Sequence, residues 1–448
     1  MRLAVIGGGG FRVPLVYGAL LAESADPRVD EVVLHDVDRR RRDVIAEVLR
    51  QMAATATAPP KVVPAAGLDD ALRGADFVFS AIRVGGLAGR VADERVALDL
   101  GLLGQETTGP GGVAYGLRTV PVVRHLAERV AAVAPDAWVV NFTNPAGLVT
   151  EAMSAVLGDR VIGICDSPMA MCRRVARALG VDAGRAWFDY VGLNHLGWLR
   201  AVLVDGRDRM PGLLADEARL RSFEEGRLFD AGWLHALGAV PNEYLWYWYA
   251  HREAVAAVQT SGGATRGTYL REQQERFYAA VEQDPSGAWA EWQRVRRERD
   301  SSYMAEARPG GAVAARDEAD VDGGGYERVA LGVLAAIARN DRSVHILDVR
   351  NRGSLPGLDD EAVVEVPCLV DANGAHPVAA GALEPHQLGL LQAVKAVERE
   401  TIAAAVEGSR ERALRAFALH PLVDSVDRAR ALLAGYLEAA PELARQLH

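Results

Sequence analysis

The chain has 448 residues, half of them hydrophobic and a quarter charged, which is the composition of a globular protein and excludes a disordered or fibrous chain. Its formal net charge of −10 argues against a nucleic-acid partner, which needs a basic surface, although a local arginine pocket can still bind a small anion. The longest stretch without a charged residue, Ala137 to Thr150, falls short of the ~18 apolar residues that a membrane span needs. The three cysteines (Cys165, Cys172, Cys368) form no spaced framework and point to a reducing cytoplasm. No signal peptide is expected ahead of a strand that begins at residue 2 or 3. The length suits two large, intimately packed lobes.

Arg2-Leu3-Ala4-Val5-Ile6 reads as a strand, Gly7-Gly8-Gly9-Gly10 follows at once, and Pro14 opens a helix. Strand, glycine turn and helix in this order form a dinucleotide-binding pattern, in which backbone N–H groups approach a pyrophosphate at a helix N-terminus. The next strand, Glu31 to His35, ends at Asp36, the acidic residue expected to hold an adenosine ribose hydroxyl and to favour NAD over NADP. A helix is expected from Arg39 to Thr55, a short strand near Val62, a buried strand over Asp76–Ile82 and a helix over about Ala88–Leu100. A long helix follows the loop Gly104–Gly112, then a strand over Trp138–Asn141, and Asn144-Pro145 caps a helix to Leu157. Val161-Ile162-Gly163-Ile164 completes six strands. The expected fold is therefore α/β: a Rossmann-type doubly wound parallel sheet over residues 1–164, followed by a second, α+β lobe over residues 165–448.

Cys165-Asp166-Ser167-Pro168 falls at the carboxyl end of the last of these strands, where open α/β sheets place their ligands. A metal-ligating thiol beside a proton donor is one reading; a buried inert Cys beside a helix cap is the other. The strand Trp187–Leu193 ends in Asn194-His195, and His195 is either a core histidine or a catalytic base. A second strand runs over about Gly197–Val204. The mostly helical stretch Ala215–Glu306 carries an aromatic run in which Trp246 and Trp248 read as core. Ala307–Gly325 reads as a mobile loop. A helix from Tyr326, strands near Val344 and Val363, and two or three C-terminal helices finish the chain, with the apolar segment Ala431–Leu437 offering an interface. Cys165 and His195 both fall at strand ends, and a Cys/His pair can hold a divalent ion while leaving positions open for substrate oxygens.

Several segments, in order and at matching spacing over nearly the whole chain, resemble glycoside hydrolase family 4, the NAD- and Mn2+-dependent glycosidases. They are Gly7-Gly8-Gly9 with Pro14, Ile82-Arg83-Val84-Gly85-Gly86, Gly104-Gln105-Glu106-Thr107 with Gly109-Pro110-Gly111-Gly112, and Asn144-Pro145. Cys165-Asp166, Gly192-Leu193-Asn194-His195, Pro241-Asn242 with Tyr244, and Val366-Pro367-Cys368 continue the series. The resemblance implies a lactate/malate dehydrogenase-like second lobe and a redox-assisted cleavage that stands outside the two-carboxylate scheme. NAD+ oxidises C3 of the sugar, a base removes the C2 proton, an acid assists loss of the C1 substituent, water adds and the ketone is reduced again.

By the same resemblance Cys165 and His195 are the ligands of Mn2+ or another divalent metal, Tyr244 is the C2 base and Asp166 the acid at C1. Gly7, Gly8, Gly9, Gly10, Asp36 and Arg83 fall to the cofactor. Arg90, Asn144 and Arg266 match substrate-binding positions, Asn194 is a candidate for a sugar hydroxyl, and Arg83 is an alternative to Arg90 for a sugar 6-phosphate. Gly10-Phe11 stands where the family often has Ser-Thr, and Cys-Asp-Ser-Pro lies between the patterns of the α and β groups. The run Leu193–Trp198 is nearer the β group, so the expected substrate is a 6-phospho-β-glucoside. An α-specific or unphosphorylated-sugar member and an NAD-dependent hydroxy-acid dehydrogenase remain as alternatives. Family members form homodimers or homotetramers.

Overall fold

The computed structural model describes residues 1–54, 56–260, 265–302 and 325–448. Thirteen strands among them form one sheet: β1 Arg2–Ile6, β2 Glu31–His35, β3 Lys61–Pro64, β4 Phe77–Ser80, β5 Trp138–Asn141, β6 Val161–Gly163, β7 Trp187–Leu193, β8 Leu196–Val204, β9 Arg207–Asp208, β10 Val240–Pro241, β11 Ser343–Arg350, β12 Val363–Asp371 and β13 Gly374–Pro377. The order β3-β2-β1-β4-β5-β6 is parallel throughout. It reverses direction on either side of β1, which makes the carboxyl ends of β1 and β4 the edge where a ligand crevice forms. Alternation along β1 explains why the sheet is covered on both faces: Leu3 and Val5 join one core cluster, Ala4 and Ile6 the other.

Beyond β6 the sheet continues antiparallel through β11, β12, β7, β8 and β10. The two joins are narrow. β6 meets β11 only at Gly163–Asp348, and β12 meets β7 only at Glu365–Gly192, whereas β11 and β12 share an eight-residue ladder. Gly163 is required at the first join, since a Cβ there would come within 2.7 Å of the Asp348 Cβ.

The expected elements sit close to their observed bounds, with physical exceptions. The helix Arg39–Ala53 is capped by the Asp38 side chain, and its expected last residue, Thr55, lies outside the described residues. β6 stops at Gly163, so Cys165 lies two residues past the strand rather than at its end. Asn194-His195 forms the two-residue turn between β7 and β8, with His195 at φ 61°; the hairpin ends the strand before these residues. The expected loop over Ala307–Gly325 falls outside the described residues except for Gly325. The C-terminal part forms helices Pro385–Glu407, Arg410–Leu419, Val426–Ala439 and Pro441–Gln446, one more than expected. The segment Ala431–Leu437 uses its apolar stripe internally: Leu432 and Tyr436 are buried, and the Tyr436 hydroxyl donates to the Asp93 carbonyl at 2.9 Å. Trp246 and Trp248 are half-buried at the edge of the larger cluster. Among the described residues no helix is long and apolar enough to cross a membrane.

Candidate active site

A cavity of about 1050 Å³ opens along the carboxyl edge of the parallel strands and continues under the second half of the chain. One end is built on the glycine turn. Gly7 has φ +91°, a conformation that suits glycine, and a Cβ there would stand 2.4 Å from the Ala81 carbonyl oxygen. Gly9 N–H donates to Asp36 Oδ2 at 2.9 Å, and Asp36 Oδ1 accepts from Asp38 N–H at 2.9 Å. Asp36 thus has one oxygen toward the turn and one toward the helix it precedes, and its remaining lone pairs face the cavity that it lines. Gly7, Gly9 and Gly10 line the cavity as well. Gly8 does not: it packs on Leu34, where a Cβ would fall 2.9 Å from the leucine Cβ, so it serves the strand–turn contact rather than the cavity wall.

Three aromatic residues from far along the chain hold the carbonyls of this turn. The Tyr278 hydroxyl donates to Gly9 O at 2.6 Å, Trp292 Nε1 donates to Phe11 O at 2.7 Å, and the Tyr326 hydroxyl donates to Arg12 O. All three are buried. Their apolar bodies fill the core while their polar tips find partners, and the sequence offered only one sign of this, large aromatics within the strongly polar helices Arg266–Gln283 and Ala288–Ser301.

The other end gathers residues from five separate segments. Cys165 is buried, and Asp166 sits at the cap of the helix Ser167–Leu179. The Ser167 hydroxyl donates to Glu243 Oε1 at 2.7 Å, which ties this segment to the one carrying Tyr244. Asn242 Oδ1 accepts from Tyr244 N–H at 3.0 Å and fixes the short turn that presents the tyrosine. The Tyr244 ring lies flat on His195, with centroids 3.6 Å apart and planes 6° from parallel. His195 Nδ1 is 2.8 Å from the Thr107 hydroxyl. Cys165, Asp166, His195, Tyr244, Asn144 and Asn194 all line the one cavity.

Burial pushes the His195 imidazole down to about 4, against the pull of Asp166 and Glu106. It is neutral at pH 7, and with Nδ1 bonded to Thr107 its Nε2 is the nitrogen available to a cation. Burial, with Glu365 and Asp166 nearby, pushes the Cys165 thiol up, so a proton must leave before the sulfur can ligate. Asn144 Oδ1 is buried in the same wall with no hydrogen-bond partner among the described residues. In donor chemistry a thiol and a neutral imidazole suit a divalent cation, and the unpaired amide oxygen suits a sugar hydroxyl. Among the described residues no group of three or more His, Cys, Asp or Glu is placed to hold a metal alone. A cation bound here would take its remaining ligands from substrate oxygens and water. The glycine turn and Asp36 likewise fit a dinucleotide.

The arginines are placed differently from one another. Arg83 Nη1 and Arg90 Nη1 reach the two oxygens of Glu106 at 2.5 and 2.7 Å, and Arg90 Nε also bonds Glu94 at 2.8 Å. Burial would raise the Glu106 carboxyl, but these two guanidiniums hold it at about 2. Arg83 and Arg90 line the cavity with their charge already balanced, a constraint invisible in the sequence because Glu106 is sixteen or more residues away. Arg266 begins the helix Arg266–Gln283 and donates to Ser302 Oγ at 2.6 Å and to Arg299 O at 2.9 Å. Asn194 Nδ2 donates to Glu365 Oε1 at 3.4 Å, which orients its amide at the cavity floor.

On a Rossmann half, a glycine turn and Asp36 that open onto the same cavity as a thiol and an imidazole define the class of a nucleotide-dependent enzyme. Residues 2–181 match the family model of Family 4 glycosyl hydrolase, and residues 190–423 match that of its C-terminal domain. The chain belongs to family 4 of the glycosyl hydrolases. It is 30% identical over 451 residues to the probable 6-phospho-beta-glucosidase of Bacillus subtilis, covering 98% of this chain and 96% of that one. The crystal structure of the Thermotoga maritima 6-phospho-beta glucosidase with NAD and glucose-6-phosphate superposes with a TM-score of 0.82 at 28% identity over 99% of each chain. A 6-phospho-alpha-glucosidase from gut microorganisms, in complex with NAD and Mn2+, superposes with a TM-score of 0.81 at 26% identity, covering 98% of this chain and 97% of that one. The fold also extends to a deep-sea metagenomic lactate dehydrogenase, with a TM-score of 0.51 at 14% identity over 90% of this chain and 98% of that one.

Proposed function

We propose that this enzyme hydrolyses 6-phospho-β-glucosides, using NAD+ and Mn2+ or another divalent metal. The observation that carries the reading is the joint cavity, with the glycine turn and Asp36 at one end and Cys165, His195, Asp166 and Tyr244 at the other. When bound, NAD+ would accept and return a hydride at C3 of the sugar, and the cation would draw charge from the C2 and C3 oxygens.

Cys165 and His195 hold the cation in this scheme. Tyr244 takes the C2 proton as its phenolate and becomes the phenol; because a phenol ordinarily titrates near pH ~10, a bound cation would be needed to hold it ionised beforehand. Asp166 gives its proton to the oxygen leaving C1, and later takes one from the water that adds there. Asn144 and Asn194 hold sugar hydroxyls, while Arg90 and Arg266 lie where the family meets its substrate. Residues 1–164 hold the cofactor and lend Arg90 and Asn144 to the sugar, while residues 165–448 supply the cation ligands and the rest of the sugar site. All three cysteines are free and buried, in keeping with a cytoplasmic enzyme, and assembly as a homodimer or homotetramer is open to light scattering.

The β assignment rests on the Leu193–Trp198 hairpin and on relatives such as the Bacillus subtilis protein. Assays with p-nitrophenyl α- and β-glucoside 6-phosphates, beside the plain glucosides, with NAD+ and Mn2+ test it. Turnover of the β-phosphoglucoside without net NADH is expected. Preference for the α anomer or a neutral glucoside overturns the substrate, and stoichiometric NADH formation would favour a dehydrogenase.

A further inference from the structure

The arginines of the cavity wall can be separated by what each already holds. Arg83 and Arg90 are engaged by Glu106 and Glu94, Arg296 pairs with Asp300 at 3.3 Å, and Arg41 with Asp38 at 3.5 Å. Arg12, Arg271 and Arg299 have no ion pair among the described residues, and of the three only Arg12 and Arg299 rest on aromatic rings. Among the described residues no carboxylate lies within ion-pair distance of either guanidinium, and neither donates a side-chain hydrogen bond. Each is instead placed by an aromatic ring: Arg12 lies 5.2 Å from the Tyr326 centroid and 5.6 Å from that of Phe142, and Arg299 lies 5.9 Å from that of Phe11. A guanidinium resting on a ring is fixed in place yet keeps its planar fork of donors for another partner.

Both side chains are half-buried and line the cavity. They face its catalytic end. Arg12 lies within the field of Asp166, Tyr326, Asp300 and Tyr244, and Arg299 within that of Arg12, Arg266 and Arg90. Burial and those three cations lower the Arg299 guanidinium well below the ordinary arginine range, with Asp300 opposing them, so an anion bound there would favour its charged form.

We propose that Arg12 and Arg299 together bind the anionic group of the substrate, a phosphate monoester, and thereby select a charged sugar over a neutral one. This rests on the 6-phosphoglucoside reading and adds to it the residues that read the charge. A dianion with three terminal oxygens can engage both forks at once and relieve their mutual repulsion. A sugar carboxylate offers the same oxyanion chemistry with one charge fewer, and the test separates the two.

Calorimetric titration of the NAD+- and Mn2+-loaded enzyme with glucose 6-phosphate, glucuronate and glucose provides that test, on the wild type and on Arg12→Met, Arg299→Met and Arg299→Lys. Arg299→Met removes no hydrogen bond, so a folding defect in Arg12→Met does not end the experiment. Glucose 6-phosphate affinity is expected to fall about 10- to 100-fold in each Met variant, with partial recovery in Arg299→Lys. Glucose and NAD+ affinities should change by less than about threefold. If both Met variants bind glucose 6-phosphate like the wild type, or lose NAD+ affinity instead, the assignment is overturned. Wild-type preference for glucuronate, lost in the variants, overturns the phosphate and assigns a carboxylate. If the wild type binds glucose 6-phosphate no better than glucose, the phosphoglucoside reading itself fails; if it discriminates and the variants still do, only the two arginines are wrong.

Discussion

His195 and Tyr244 lie face to face, with ring centroids 3.6 Å apart. Placing the proposed C2 base flat against a proposed metal ligand would let a bound cation lower the cost of ionising the phenol. Tyr244→Phe keeps the stacked ring and removes only the hydroxyl. It should cut kcat by about 10²- to 10⁴-fold and abolish exchange of the C2 proton with solvent deuterium. NMR of the sugar in D2O reads the exchange, and an undiminished rate assigns the base to another group.

Removing the thiol tests the cation site. Wild-type activity should vanish with EDTA and return with Mn2+. Cys165→Ser should need more than about tenfold higher Mn2+ for half-maximal activity, because loss of a direct ligand exceeds the usual cost of disturbing a ligand's supporting hydrogen bond. Full activity of the serine variant in EDTA would remove Cys165 from the site.

The aromatic hold on the glycine turn gives a cofactor prediction. Tyr278→Phe deletes a buried hydroxyl from a 2.6 Å hydrogen bond to Gly9 O. Stability should fall by about 1–2 kcal/mol in urea unfolding, the carbonyl being left without its donor. NAD+ binding, followed by quenching of tryptophan fluorescence, should weaken by a few fold as the turn relaxes. Unchanged values in both would show that helix packing alone shapes the turn.

The join between β6 and β11 sets a pH dependence. Burial pushes the Asp348 carboxyl up to about 8, with Glu398 adding to the rise and Lys395 opposing it, and among the described residues neither of its oxygens has a hydrogen-bond partner. Between the ordinary carboxylate range and about pH 8 the folded chain therefore holds a proton that the unfolded chain has released. This residue's contribution is fully present below about pH 4, declines as pH rises, and levels off above its folded value. Asp348→Asn should flatten that decline and gain about 1–3 kcal/mol on the wild type between pH 5 and pH 8. Parallel melting curves at all pH values would show that Asp348 stays paired when ionised.

Much of the first half could be read directly. The glycine turn after β1, Asp36 after β2 and the alternating strand–helix order arise from local rules of chain geometry, and each falls where those rules place it. Cys165 and His195 were recognisable as candidates, but their exact seats were not: one lies past a strand that ends early, the other in a hairpin turn. The arginines were the least legible. Nothing local to Arg83 or Arg90 reveals that Glu106 engages both, and nothing local to Arg12 reveals the two rings beneath it. Such pairings depend on loops brought together only by the finished fold. For the same reason Asp348 and Glu365, opposite one another on β11 and β12, drew no notice as acids inside an apolar pattern.

The donors of Tyr278, Trp292 and Tyr326 make the dinucleotide grip a shared possession of both ends of the polypeptide. A chain stopped after Leu179 would keep every parallel strand and yet lose what steadies Gly9, Phe11 and Arg12. The two halves are therefore not exchangeable parts: a first lobe borrowed from a dehydrogenase would arrive without this fastening, and substitutions in the later helices reach the glycine turn from far along the chain.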